Sequence, residues 1–130
     1  MQNKIPYSTQ SIDSSDIKAV VNTLKSGFLS QGPRTIKFEK QMSKLIKSKY
    51  AISANSATSG LHLVCLALGL SNKDLVWVSS ISFVASANCA AHCGAKIDFV
   101  DIDKETFNIC VKSLEQKLNI AKKNKKLPKV

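Results

Sequence analysis

Apolar residues in this chain recur with two different spacings, and the alternation between them outlines the fold. Ile17, Val20, Val21 and Leu24 repeat at helical intervals. Asp13 or Ser14 stands where a cap is needed and Gly27 where a helix stops, which predicts a helix through about Ser26. Residues 27–33 form a loop rich in turn formers, and a second helix follows with Ile36, Phe38, Met42, Leu45 and Ile46 roughly periodic. Residues 50–54 read as a short apolar strand. The small-residue turn 55–60 leads into a helix over 61–68, ended by Gly69 and the turn 71–74. Residues 75–78 read as a second strand, and a helix opening at Ser82 or Phe83 runs through Cys93 to Gly94. A third strand covers 97–100, with Asp101 and Asp103 in the loop after it. Leu114, Leu118 and Ala121 then share one face of a last amphipathic helix. Short apolar strands separated by helices imply an α/β fold built from parallel βαβ units.

Composition narrows the class without changing that picture. The chain has 130 residues, enough for one ordinary domain, with 44% hydrophobic and 22% charged residues, so it is neither disordered nor collagen-like. No window approaches the roughly 18 consecutive apolar residues of a membrane helix. The start, residues 1–6, lacks the apolar core of a signal peptide. A cytoplasmic protein with no membrane partner is expected. Cys65, Cys89, Cys93 and Cys110 are too scattered for a disulfide scaffold and read as reduced, mostly buried thiols. Cys89 and Cys93 share a helical face with His92 between them, but the ligand number falls short of a zinc site, so no metal is expected.

The net charge of +10 is unevenly distributed. Residues 1–111 hold 12 basic and 8 acidic residues, whereas residues 112–130 hold seven lysines and one glutamate. A basic tail of this kind suggests a small nucleic-acid-binding domain as one reading. Arg34 is the sole arginine, and no aromatic residue interleaves the lysines at positions 122–129. Nucleic-acid surfaces favour both, so the tail reads better as the polar end of a surface helix and the loop after it, with no nucleic-acid partner.

In parallel α/β sheets, ligands sit where strands turn into helices. Two such turns carry candidate chemistry. In residues 55–60 the small side chains let backbone amides approach an anion, Ser56, Thr58 and Ser59 add hydroxyls, and the helix N-terminus favours negative charge. A phosphate is the natural guest, although neither a Walker loop nor a GxGxxG fingerprint is present. A plain helix cap is the alternative. In residues 79–83, Phe83 stands at the mouth of the next loop, where it could stack on a planar ring or simply enter the core.

Taken in order, Ser30-Gln31-Gly32-Pro33, Phe38-Glu39, the run from Asn55 to Leu61, the run from Ile81 to Asn88, Gly94-Ala95 and the run from Phe99 to Asp103 resemble the N-terminal part of the DegT/DnrJ/EryC/StrS sugar aminotransferases. These are pyridoxal 5'-phosphate enzymes with the aspartate aminotransferase fold, and the likeness extends from about Ile5 to about Leu118. NSATSGLHL and ISFVASANC are most similar to the pseudaminic-acid branch, whose substrate is a UDP-linked 4-keto-6-deoxy amino sugar. The resemblance implies that Ala57, Thr58 and Ser59 hold the cofactor phosphate and that Phe83 stacks on the pyridine ring. It implies substrate contacts from Tyr7, Gly27, Phe28, Leu29, Ser30 and Ala57, with L-glutamate as amino donor and a homodimer as the working unit. It divides the chain into an arm, helix and substrate loop over 1–34, βαβ units with the phosphate loop over 35–118, and a basic end over 119–130.

Transamination needs a lysine that forms a Schiff base and shuttles a proton, and an acid on the pyridine nitrogen. In the family both lie downstream of the segment that matches Gly94 to Asp103, and none of this chain's lysines sits in the family's lysine motif. The expectation is therefore an incomplete large domain, a partial aminotransferase inactive by itself, with the Schiff-base lysine beyond Val130 and no catalytic residue within the chain. A related reading within the same fold is a sugar dehydratase, in which histidine replaces that lysine.

Overall fold

The computed structural model describes residues 5–130. They group into two compact units, one ending at Ser53 and the other covering Ala54–Val130.

The first unit contains two helices, α1 (Ser14–Leu24) and α2 (Pro33–Leu45). Asp13 caps α1 in a capping box: its carboxylate accepts from the amides of Ser15 and Asp16, and the Asp16 carboxylate accepts from the Asp13 amide in return. The Ser15 hydroxyl and these amides hold the Asp13 carboxyl below its ordinary range. α1 ends at the cap Lys25, two positions before Gly27, so Gly27 is not its stop. α2 opens with Pro33 at its first position, where a missing N–H costs nothing. Neither helix buries a residue.

Residues 50–54 are not a strand, contrary to the sequence pattern. A strand is defined by its ladder, and no described segment pairs with this one. The segment is held instead by a side chain. Glu39 of α2 accepts from the Ser53 amide at 2.8 Å and the Ser53 hydroxyl at 2.9 Å, which holds the Glu39 carboxyl low.

The second unit contains α3 (Ala57–Ala67), β1 (Leu75–Ser79), α4 (Ala85–His92), β2 (Lys96–Val100) and α5 (Val111–Lys123). β1 and β2 pair in parallel, Leu75 opposite Lys96 and Ser79 opposite Val100. With α4 between them they form the anticipated βαβ unit. The other edge of β1 is bridged by the chain end: the Lys129 amide donates to Leu75 O and the Trp77 amide to Val130 O. Cys65, Leu70, Val76, Cys89, Ala90 and Ala95 form the core, with Val78, Cys93 and Ile97 packed against it. Two of the thiols are thus buried, whereas Cys93 and Cys110 are half-buried.

α5 lies against β2, and Lys117 fixes it there. Its ammonium pairs with Asp98 at 2.7 Å, donates to Phe99 O and sits 5.0 Å from the centre of the Trp77 ring. Ala121, on the face anticipated for this helix, is buried. No helix among the described residues is long and apolar enough to cross a membrane.

Candidate cofactor site

The turn 55–60 is less of a loop than its composition suggests, because α3 begins at Ala57. Ala57, Thr58, Ser59 and Gly60 are its first helical turn. Ser56 is the cap, extended at φ −159 and ψ 159. Its hydroxyl oxygen accepts from the Ser59 amide at 3.1 Å and its proton goes to the Ser59 hydroxyl oxygen, also at 3.1 Å. The helical ladder starts with the Gly60 amide on Ser56 O. The amides of Ala57 and Thr58 therefore have no acceptor within the helix. The Ser59 hydroxyl, already an acceptor, keeps its own proton free to donate. No acidic side chain occupies the first turn. Free amides, hydroxyls and the positive end of an 11-residue helix make this position complementary to an anion.

Phe83 lies in the loop between β1 and α4 and is 75% exposed. The core reading of this residue is thereby set aside. The Ser82 and Ser86 hydroxyls, 2.7 Å apart, staple the loop to the first turn of α4. α4 itself starts at Ala85, two to three positions later than the sequence pattern places it. The ring presents an apolar face on which a planar group can lie.

α3 and α4, which carry these two loops, pack directly on each other. The His62 and His92 rings meet with centroids 5.4 Å apart. Cys65 and Cys89 are buried at the same contact. Burial first, then the neighbouring Cys89, pushes the Cys65 thiol up to about 11. Among the described residues no group of three or more His, Cys, Asp or Glu is arranged to hold a metal ion.

Apart from Ala57, the sequence-predicted substrate residues fall in the other unit. Tyr7 is fully exposed. Gly27, Phe28, Leu29 and Ser30 form the connection between α1 and α2. The Ser26 hydroxyl donates to Thr23 O at 2.7 Å and accepts from the Phe28 amide at 3.2 Å. A side chain on Gly32 would place its first carbon 2.8 Å from Phe28 Cβ, so only glycine lets the loop close this tightly. Phe28 and Leu29 are left 60% and 69% exposed. The structure thus assembles Ala57, Thr58 and Ser59 in one turn, puts Phe83 in the same unit, and places Tyr7 and residues 27–30 in the first unit.

Asp103 has a structural job. It accepts from the amides of Thr106 at 2.9 Å and Glu105 at 3.0 Å, which keeps its carboxyl low and closes the turn between the bridged residues Ile102 and Ile109. A cap was one reading of the 55–60 turn, and it falls on Ser56, with the helix starting at Ala57 and not at Leu61. Two further contacts had no sequence signal: the Glu39–Ser53 clamp, and Lys117 on β2. These two join residues 14 and 18 or more positions apart, beyond any local pattern.

Comparison with known proteins bears on this arrangement. Over 114 residues the chain is 44% identical to the UDP-4-amino-4,6-dideoxy-N-acetyl-beta-L-altrosamine transaminase of Campylobacter jejuni subsp. jejuni, covering 88% of this chain and 30% of that protein. Its fold matches a putative sugar aminotransferase, Spr1654 from Streptococcus pneumoniae, with a TM-score of 0.83 and 35% identity. That match covers 86% of this chain and 29% of Spr1654, which has been solved in PLP and PMP forms. It also matches the E. coli GDP-4-keto-6-deoxy-D-mannose-3-dehydratase with bound hydrated PLP, at a TM-score of 0.79 and 28% identity over 87% of this chain and 31% of the dehydratase. The chain spans 27 to 30% of the length of the curated relatives it matches. The model of the DegT/DnrJ/EryC1/StrS aminotransferases matches residues 10–125, so the capped α3, the β1–α4–β2 unit and α5 all lie within the match, and the chain belongs to that family.

Proposed function

We propose that this chain supplies the phosphate cradle and ring wall of a pyridoxal-phosphate aminotransferase that acts on a UDP-linked 4-keto-6-deoxy amino sugar, with L-glutamate as amino donor. The observation that carries the reading is the first turn of α3, where the Ala57 and Thr58 amides lack helical acceptors and no acid competes for them. The residues present fit the cofactor. Its phosphate would take these amides with the Thr58 and Ser59 hydroxyls, and its ring would lie on the exposed face of Phe83. When bound, the cofactor supplies an electron sink for cleavage at the substrate carbon. The protein's own share here is to bind the phosphate and orient the ring. Tyr7 and the loop from Gly27 to Ser30 serve as substrate contacts, with Ala57 at the boundary between cofactor and sugar. The working enzyme is a cytoplasmic homodimer.

The chain by itself binds cofactor without transferring an amino group, since none of its lysines sits in the family's lysine motif. Titration of the chain with pyridoxal phosphate, followed by amide shifts, tests the cradle. Saturable shifts at Ala57, Thr58 and Ser59 are expected, and Thr58→Ala should weaken binding about tenfold, the loss of one charge-assisted hydrogen bond. Unmoved amides in this turn would overturn the cradle, and amino transfer by the chain alone would overturn its inactivity. A dehydratase is the second reading, supported by the E. coli dehydratase match. Product analysis with a polypeptide containing this chain separates the two: an aminated sugar supports the transaminase, a deoxygenated one the dehydratase.

A further inference from the structure

At the amino ends of β1 and β2, opposite the end that carries the Phe83 loop, lies a cavity of about 510 Å³. Lys73, Lys96, Lys125, Lys126 and Lys129 line it, together with Asp74. The lysines come from three separate places: the turn before β1, the first residue of β2, and the segment after α5. No single helix face or sequence run accounts for their meeting.

The carboxylate in the lining is already committed. Asp74 accepts from the Ser71 amide at 2.8 Å and the Ser71 hydroxyl at 2.9 Å, and pairs with Lys129 at 3.4 Å. Lys129 also donates to Gly69 O at 2.6 Å, so its ammonium is fixed in the wall. Lys73, Lys96, Lys125 and Lys126 are exposed, and among the described residues none of them has an ion-pair partner. Unpaired like charges gathered around one concavity repel each other and raise the local concentration of anions. Lys125 holds φ +54, a conformation that favours glycine, so its cation is kept at a position where glycine would be more comfortable.

We propose that this cavity binds an oligophosphate anion, a small molecule with two or more linked phosphates, seated among Lys73, Lys96, Lys125 and Lys126. Lysine ammonium groups recognise phosphate as point charges and suit a flexible chain of tetrahedral groups. The volume falls within the range of about 300–1,000 Å³ common for small-molecule pockets. Neither arginine nor an aromatic side chain lines the cavity, so the features that read bases and stack on them are missing from the lining.

Calorimetric titration of the chain with inorganic tripolyphosphate at low ionic strength tests this. One saturable site is expected, with orthophosphate at least about tenfold weaker, because fewer charges meet the lysines. The double variant Lys73→Gln, Lys96→Gln should lose about tenfold or more in affinity, and the charge-matched control Lys18→Gln, Lys104→Gln should not. Lys125→Gly gives an independent arm: it should weaken tripolyphosphate binding while raising the melting temperature, a combination that misfolding cannot produce. Equal losses in the control and the cavity variants, or no saturable binding, would overturn the site. A short single-stranded oligonucleotide that binds more tightly than tripolyphosphate and is lost with the same lysines would replace it with a nucleic-acid surface.

Discussion

Lys47 and Lys125 occupy the residue after the cap of α2 and α5 with φ +54 each, while Gly69 and Gly94 do the same after α3 and α4 at φ +66 and +77. All four helices therefore end by turning into the left-handed region, glycine doing so freely and lysine at a cost of about 1–2 kcal/mol. Lys47→Gly is expected to raise unfolding free energy by about 1 kcal/mol in urea titrations, and Gly94→Ala to lower it by at least as much. The cysteines differ in the same local way. The Ser113 hydroxyl and amide hold the Cys110 thiol below its ordinary range at the start of α5, whereas burial raises that of Cys65. A thiol-reactive probe under native conditions should label Cys110 first and Cys65 last, as peptide mapping would show.

Element by element, the cap of α3 ties helix stability to the proposed phosphate cradle. Ser56→Ala removes the acceptor for the Ser59 amide and should cost about 1 kcal/mol. It also frees that amide, so affinity for phosphate should fall less than in Thr58→Ala, and a comparison of the two melting curves and titrations checks both points. β2 depends on a side chain in a different way. The Asp98 carboxylate accepts from the Phe99 amide, and Lys117 takes Phe99 O, so both polar groups of Phe99 are satisfied by side chains. Lys117→Met keeps the stem but removes the ammonium. Faster hydrogen exchange at the Phe99 amide and looser packing of α5 are the expected outcomes, measured by exchange mass spectrometry.

For the whole molecule, acid is the condition that strikes several elements together. Hydrogen bonds from Lys117 hold Asp98 low, Ser71 does so for Asp74, the Thr106 amide for Asp103 and the Ser53 amide for Glu39. A carboxyl whose folded value lies below its unfolded one adds stability above the unfolded value, and that stability is lost as pH falls through the folded one. Urea midpoints should therefore hold from neutral pH down to about 4.5 and drop below about pH 4, where model carboxyls begin to take up protons. The Asp98→Asn variant should show a shallower drop. At the other extreme, Cys65 contributes stability that fades as pH rises from its unfolded value towards about 11.

Local pattern alone determined the helices and the β1–α4–β2 unit, while the family was legible only as a resemblance of several motifs taken in order. Capping at Asp13, the periodic apolar faces, and the Ser/Thr-rich turn before an apolar helix are short-range physics, carried by residues within a few positions of one another. The Ser/Thr-rich turn was legible for the same reason, although Ala57 to Gly60 prove to be the first turn of α3 rather than a loop before it. Tertiary structure decided what depends on partners far along the chain. Residues 50–54 have strand composition but no ladder, and Glu39 holds them instead. Phe83 could have entered the core, and the fold left it exposed. The tail lysines looked like a solvated run, yet Lys129 reaches Gly69 and Asp74, and others meet Lys73 and Lys96 around one cavity. Such meetings depend on how the strands and helices pack in space, which no window of neighbouring residues encodes.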